Sequence, residues 1–218
     1  MKPRCSNHRS HALTIIEVLV TVVAVCLLAL VALAQSENSQ AKKQIIDCVN
    51  NLKQIGLAYR LWEGDNGDRL PQHVSTRYGG AMEPATRGNV TPIFQVMSNE
   101  LSTPRVLICP SDPNRSVANG FAFGFDNSHV SYFAGLDASD AQPATFLSGV
   151  DNFDINGVPV NSGLLLLATN GPVSWTAARH INQGNIGLAD GSVQTTSSSF
   201  LRQMLVQTGV ATNRLALP

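Results

Sequence analysis

The chain has 218 residues, of which 44% are hydrophobic and only 14% are charged. Lysine plus arginine and aspartate plus glutamate both number 15, so the formal net charge is zero. The sequence has no basic excess and no basic patch interleaved with aromatic residues, and it therefore gives no indication of nucleic-acid binding. The residues outside one long apolar run suffice for a single domain with its own core.

That apolar run covers residues 13–34 and carries a single charge, Glu17. As a helix rising about 1.5 Å per residue it would be about 33 Å long, enough to cross a hydrocarbon core of about 30 Å. Lys2, Arg4 and Arg9 precede the run. The positive-inside rule therefore predicts a cytoplasmic N-terminus and an exported C-terminal part.

Three interpretations of the run differ in the role they give to individual residues. A secretory signal peptide would be cut after the A-x-A sequence of residues 32–34, although the uninterrupted apolar stretch is long for such a signal. A lipoprotein signal would use Cys26, but Val25 stands where a small residue is expected. The third interpretation makes Glu17 functional, since a carboxylate inside a bilayer costs about 2.5–3.5 kcal/mol and calls for a partner.

The residues around Glu17 favour the third interpretation. The sequence of residues 12–20, ALTIIEVLV, resembles the cleavage and methylation motif of type IV prepilins and type II secretion pseudopilins. This resemblance implies that a prepilin peptidase cuts between Ala12 and Leu13, positions at which the family usually has Gly and Phe. It also implies that Glu17 pairs with the new α-ammonium of Leu13 in a neighbouring subunit, which makes Glu17 an assembly residue.

Beyond residue 34 the helix is predicted to continue as an amphipathic segment as far as Trp62. Apolar residues recur alternately four and three positions apart, which is typical of one helix face. The members of this stripe are Ala41, Ile45, Cys48, Leu52, Ile55, Tyr59 and Trp62. A run of turn-forming residues at 63–68 is predicted to end the helix.

The head, residues 63–218, is predicted to be a mainly antiparallel sheet with short helices. We expect helices over residues 91–101 and 200–207, the latter capped by Ser198 or Ser199, and strands over residues 104–110, 130–134 and 163–168. The last of these strands is fully apolar and is expected to be central. Asp190-Gly191 between two short strands predicts a hairpin.

The expected fold class is therefore α+β, with the pseudopilin-like layout of one long N-terminal helix packed on a small head. Residues 1–12 form a basic leader, residues 13–34 the transmembrane half of the helix, residues 35–62 its amphipathic half, and residues 63–218 the head.

Two cysteines, Cys48 and Cys109, fall in the part of the chain that is predicted to be exported. An oxidising compartment permits one disulfide, and we expect it to join these two residues. Two separately buried thiols are the alternative.

A histidine motif near the C-terminus gives a second resemblance. His180 is followed nine residues later by Asp190-Gly191, which resembles the H-X9-DG signature of prepilin-type processing-associated proteins. The segment that begins at Cys48 resembles pseudopilin-like proteins of planctomycete and verrucomicrobial type. His180 could be a metal ligand or a proton switch, or a structural residue that hydrogen-bonds the hairpin backbone.

Calcium is the ion that the resemblance to major pseudopilins implies. Asn152, Asp154 and Asn156 precede Gly157 as oxygen ligands do at the start of an EF-hand loop, but Gly163 stands where the bidentate Glu is expected. A plain turn is the alternative.

The sequence contains no G-x-S-x-G or H-E-x-x-H motif, and we expect no enzymatic activity. The expected function is that of a structural subunit in a type II secretion or type IV pilus-like assembly. Its expected partners are prepilin peptidase, other pilin or pseudopilin subunits and the inner membrane, with the head in the periplasm or on the cell surface. The alternatives are an anchored protein that binds a surface ligand without polymerising, and a soluble protein secreted after a cut behind Ala34.

Overall fold

The computed structural model describes residues 15–218, without the side chains of residues 30–38. It combines α-helices with antiparallel sheets, which confirms the predicted α+β class. The expected leader and the expected cleavage site between Ala12 and Leu13 lie outside the described residues. The expected transmembrane segment, residues 13–34, falls only partly within them.

Helix α1 covers Ile15–Asp65, and the chain divides into a unit that ends at Gln40 and a unit Ala41–Pro218. In the first unit, ten large apolar side chains are exposed: Ile15, Ile16, Val18, Leu19, Val20, Val22, Val23, Val25, Leu27 and Leu28. Across the part of the chain that is described, no helix combines the length and the apolarity that a membrane crossing requires.

In the second unit, α1 packs on the head through the predicted apolar stripe. Cys48, Leu52, Ile55, Tyr59 and Trp62 are all buried, each with at most 4% of its surface exposed. The periodicity of these residues is that of one helix face, so their burial in the core follows from the sequence.

The strands of the head form two antiparallel sheets. In chain order they are β1 (Tyr132–Gly135), β2 (Phe146–Val150), β3 (Phe153–Ile155), β4 (Val158–Pro159), β5 (Gly163–Ala168), β6 (Val173–Trp175), β7 (Gln183–Leu188), β8 (Val193–Ser197) and β9 (Thr212–Leu217). The larger sheet has the order β5-β9-β1-β2-β7-β8, and the smaller one has the order β4-β3-β6.

The prediction that the apolar segment Gly163–Ala168 forms a central strand was wrong. This segment is β5, at one edge of the larger sheet, where Leu164 and Leu166 are 43% and 56% exposed and Leu167 is buried. The interior position beside it belongs to the C-terminal strand β9, which pairs with β5 on one side and with β1 on the other. A run of leucines is buried on both faces of a strand only where other elements cover both faces of the sheet.

Short helices lie between α1 and β1, and one further helix lies between β8 and β9. The α-helices are α2 (Met82–Thr86), α3 (Thr91–Val96), α4 (Ser98–Leu101) and α5 (Ser198–Gln207), and 3-10 helices cover Pro71–His73, Thr76–Tyr78, Pro104–Leu107 and Asn127–His129. The helix predicted over residues 91–101 is therefore split in two at Met97. Helix α5 agrees with prediction, although its cap is Ser197, whose hydroxyl accepts from the amide of Phe200.

The strand predicted over residues 104–110 was also wrong in type. Pro104–Leu107 is a 3-10 helix, because Thr103 caps it by accepting a hydrogen bond from the amide of Arg105. Proline suits the first position of a helical turn, where no amide hydrogen is needed. Ile108 then has an extended backbone conformation, and the next residue, Cys109, is buried in the core.

The hairpin predicted around Asp190-Gly191 is present between β7 and β8. Asp190 Oδ1 accepts from the amide of Ser192 at 2.8 Å, and Gly191 has φ +85°, a left-handed conformation that glycine adopts without a steric penalty. The two residues therefore shape the turn.

Candidate functional site

Three side chains from distant parts of the sequence meet in the core of the head. Cys48 comes from α1, Cys109 follows the 3-10 helix Pro104–Leu107, and His180 lies in the loop before β7. Their two sulfur atoms and one imidazole nitrogen all lie within 4.8 Å of one another, and all three residues are buried. We call them the Cys-Cys-His cluster.

The Cys48 side chain is surrounded by hydrogen-bonding groups as well as by apolar core. The hydroxyl of Tyr132 donates to Cys48 Sγ at 3.5 Å. Asn51, one helical turn further along α1, donates to the carbonyl oxygen of Ile108 at 2.9 Å and to the Tyr132 hydroxyl at 3.4 Å. These contacts fasten α1 to the segment that carries Cys109.

The pKa values of the two thiols are shifted in opposite directions. Cys109 acts as a hydrogen-bond partner that lowers the pKa of Cys48, and this effect exceeds the opposing effect of burial, with help from Tyr132 and Asn185. The same hydrogen bond, together with burial, raises the pKa of Cys109 well above its ordinary value. Cys48 is therefore the more acidic thiol of the pair.

The backbone around His180 has an uncommon conformation. His180, Ile181 and Asn182 have φ values of 50°, 52° and 57°, so three consecutive non-glycine residues occupy the left-handed region. A single non-glycine residue with this conformation is already uncommon. The left-handed conformation costs roughly 1–2 kcal/mol for each residue that has a Cβ atom. The surrounding contacts must offset that cost, and they fix the direction of the imidazole.

The imidazole of His180 is held at both nitrogens. Nε2 lies 3.2 Å from Cys109 Sγ, and Nδ1 lies 3.3 Å from Ser111 Oγ. Ser111 in turn donates to Gln44 Oε1 on α1 at 3.1 Å. His180 therefore contacts the cysteines and Ser111, whereas the structural alternative placed it against the backbone of the hairpin.

The predicted H-X9-DG motif is not brought together as one site. Strand β7 separates His180 from Asp190-Gly191, which places the two parts at opposite ends of a six-residue strand, roughly 20 Å apart. His180 belongs to the cluster, and the Asp-Gly pair belongs to the turn.

A buried ion-pair network flanks the cluster. Arg179 Nη2 lies 2.8 Å from Asp112 Oδ2, and Arg179 Nη1 lies 2.5 Å from Asp151 Oδ1. Arg115 reaches the same two carboxylates, at 3.1 Å from Asp112 and 2.6 Å from Asp151. The four side chains are at most 15% exposed. Two positive and two negative charges balance, and the network fixes the residue that follows Ser111 and the residue that precedes His180.

A cleft of about 390 Å³ opens beside the cluster and is lined by Gln44, Ser111, His180 and Ile181 among others. It offers a path from solvent to the imidazole. A larger cleft of about 740 Å³ lies along α3 and is lined by neither cysteine nor histidine.

The predicted disulfide is not formed in this structure, where Cys48 and Cys109 are both free thiols. The sequence prediction nevertheless paired the two residues that meet. The third member, His180, occupies the hydrogen-bonding position next to Cys109.

The residues proposed for calcium build a turn. Asn156 and Gly157 both have positive φ and join β3 to β4, while Asp154 Oδ1 accepts from the amide of Gly157 at 2.9 Å and from the Ser174 hydroxyl at 2.7 Å. The side-chain amide of Asn152 donates through Nδ2 to backbone carbonyls, among them that of Gln183 at 3.3 Å. These internal bonds favour the plain-turn alternative, and calcium binding stays an untested prediction.

Several residues of the site were missed at the level of sequence. Ser111, Tyr132 and Arg179 carry no motif that would assign them, and only their neighbours Cys109 and His180 could have directed attention to them.

No family model, curated protein or solved structure matches this chain.

Proposed function

We propose that this chain is a structural, pseudopilin-like subunit. A prepilin peptidase cuts it between Ala12 and Leu13, the N-terminal part of α1 anchors it in the inner membrane, and it joins a type II secretion or type IV pilus-like assembly with its head outside the cytoplasm. The proposal assigns no catalytic reaction to the chain.

The observation that carries the proposal is the contrast between the two parts of α1. Ten large apolar side chains are exposed between Ile15 and Leu28, whereas the stripe from Cys48 to Trp62 is buried in the head. Exposed apolar surface of this extent favours a lipid or protein partner, because its burial is worth about 25 cal/mol per Å². A filament of such subunits within a membrane would supply both kinds of partner.

The sequence around Glu17 supports the same proposal. Cleavage in front of Leu13 would create an α-ammonium group in an environment of low dielectric constant, where a carboxylate attracts it strongly. Glu17 would then fix the register between neighbouring subunits, and this role explains a carboxylate inside the apolar run.

Cys26 provides a natural probe for assembly. It is exposed on α1, whereas Cys48 and Cys109 are buried, so a thiol-specific crosslinker should join subunits through Cys26. We expect a crosslinked dimer in cells that express the chain together with a prepilin peptidase. The band should disappear in Cys26→Ser.

The decisive comparison uses two glutamates of the same helix. Glu17→Ala should reduce the Cys26 dimer strongly at unchanged membrane content, whereas Glu37→Ala, outside the apolar run, should retain it. Equal dimer yields in wild type and Glu17→Ala would contradict the assembly role. A membrane-inserted wild type without any dimer would instead favour the non-polymerising ligand-binding protein.

A further inference from the structure

We propose that Cys48, Cys109 and His180 bind one thiophilic d10 cation, Zn²⁺ or Cu(I). The inference goes beyond the proposed function and does not depend on it, since all three residues lie in the unit Ala41–Pro218. Thiolate sulfur and imidazole nitrogen are the ligands that these two ions share, while Ca²⁺ and Mg²⁺ require oxygen.

The separations of the three ligand atoms fit a common metal ion. Zinc takes sulfur at about 2.3 Å and nitrogen at about 2.0–2.1 Å, so ligand atoms around one ion lie roughly 3.4–3.8 Å apart in tetrahedral geometry. The three atoms already lie within 4.8 Å of one another, and Cys109 Sγ is 3.2 Å from His180 Nε2. Side-chain adjustments of about an ångström would therefore complete the site.

The charge of the cluster favours a divalent ion in this buried position. Two thiolates and a neutral imidazole compensate Zn²⁺ fully, so the occupied site is neutral and avoids the cost of an isolated buried charge. When the ion binds, each thiol S–H bond is replaced by a sulfur–metal bond, and the proton is released to solvent. No oxidation or reduction accompanies the binding of either ion.

The groups around the ligands are those that metal sites use to orient their ligands. His180 binds through Nε2 while its Nδ1–H donates to Ser111 Oγ, which is oriented by Gln44. On the cysteine side, the Tyr132 hydroxyl donates to Cys48 Sγ. The buried side-chain amide nitrogen of Asn185 has no hydrogen-bond partner among the described residues.

The backbone of His180 distinguishes a metal site from a simple disulfide. A Cys48–Cys109 disulfide would need no imidazole, yet three consecutive residues with positive φ hold His180 against Cys109. Strain of this kind persists where the surrounding contacts over-determine the conformation, and it clusters at ligand-binding sites. The cleft beside His180 gives an ion its path and leaves room for a water molecule as the fourth ligand.

Occupation of the site would tie together three segments that the sequence keeps far apart. The ion would link α1 to the chain after Pro104–Leu107 and to the loop before β7. A ligand that binds only the folded state stabilises that state by mass action, so the metal would secure the attachment of α1 to the head.

The test uses the full chain, purified in detergent under reducing conditions and freed of metal. Titration with Zn²⁺, and in a separate arm with Cu(I), should show one equivalent bound per chain and a rise in the melting temperature. Co²⁺ as a spectroscopic substitute for Zn²⁺ should give a sulfur-to-cobalt charge-transfer band in the near ultraviolet. The arm with the tighter binding at equal free ion concentration identifies the ion.

The variants separate ligation from folding. His180→Asn removes the imidazole but keeps a residue that tolerates positive φ, and it should weaken binding by at least about 100-fold. Cys109→Ser should abolish the cobalt band, and Ser111→Ala should weaken binding by about 10–100-fold. Cys26→Ser, which also removes one thiol, should bind as the wild type does.

Two results would overturn the proposal. One is a folded, reduced wild-type chain that binds neither ion. The other is a chain that, isolated from cells without added reductant, carries a Cys48–Cys109 disulfide in place of a metal, as seen by intact mass and by thiol alkylation. Failure of subunit crosslinking through Cys26 would bear on the assembly function and would leave this metal site unaffected.

Discussion

Cys109 Sγ lies 3.2 Å from His180 Nε2, although 71 residues separate the two in the sequence. Cys48 on α1 completes the contact, so the C-terminal histidine motif, the first loops of the head and the long helix meet at one buried point. Because Cys48 lies on α1, the candidate site also links this part of the helix to the head.

The buried stripe of α1 predicts a large difference between two leucines of the same helix. Leu52 is 2% exposed and Leu61 is 51% exposed. We expect Leu52→Ala to lower the free energy of unfolding by about 2–5 kcal/mol and Leu61→Ala to change it by less than about 0.5 kcal/mol. Denaturant unfolding followed by the fluorescence of the buried Trp62 and Trp175 measures both. Equal effects would contradict the packing of α1 through this face.

The ion-pair network beside His180 predicts that loss of one charge is costly. Asp112→Asn leaves Arg115 and Arg179 with a single carboxylate between them, and removal of one partner from a buried pair typically costs about 3–5 kcal/mol. Asp140→Asn removes an exposed partner of Arg60 and should cost less than about 1 kcal/mol. Unfolding experiments that gave the two variants the same stability would show that the network is not formed.

The turn of the H-X9-DG motif predicts that Gly191 acts through its backbone. Gly191 has φ +85° and no atom within 4 Å of the position that a Cβ would take, so Gly191→Ala should cost about 1–2 kcal/mol through conformation alone. Gly120→Ala, in open space without positive φ, serves as the control and should be nearly neutral. A neutral Gly191→Ala in the same unfolding assay would refute the turn conformation.

Glu83 predicts a specific pH dependence. Hydrogen bonds from the Ser75 hydroxyl and from the amide of Thr76 hold the pKa of Glu83 at about 2, below its ordinary value of 4.5. A depressed folded-state pKa contributes stability that is fully present above the ordinary value and is lost as the pH falls through the folded-state value. Between pH 4.5 and about 2 the wild type should therefore lose stability that Glu83→Gln does not lose. Ser75→Ala should reduce the same pH dependence, and identical pH profiles of all three proteins would contradict it.

Local patterns allow the amphipathic part of α1, helix α5 and the hairpin to be predicted, because each depends on residues that are close in sequence. The stripe from Cys48 to Trp62 needs only the helical period, and Asp190-Gly191 needs only the conformation of a two-residue turn. The apolar residues between Pro104 and Pro110 predict a strand, whereas the structure has a 3-10 helix over Pro104–Leu107 that Thr103 caps.

Non-local relationships could not be predicted in the same way. The order of strands in the larger sheet places β9 in the interior and β5 at the edge, and nothing within the leucines of β5 encodes which neighbours it will have. The same holds for the candidate site. The number of exported cysteines is enough to predict a contact between Cys48 and Cys109. The position of His180 beside Cys109 depends on where the loop before β7 lies.

The N-terminal sequence of the mature protein tests the proposed function most directly, because every later step depends on cleavage of the leader. Protein isolated from the membrane fraction of cells that contain a prepilin peptidase should begin at Leu13, and this N-terminus should be absent when the peptidase is inactive. A mature chain that begins at Gln35, or a membrane-bound chain that retains Met1 in the presence of the active peptidase, would contradict the account.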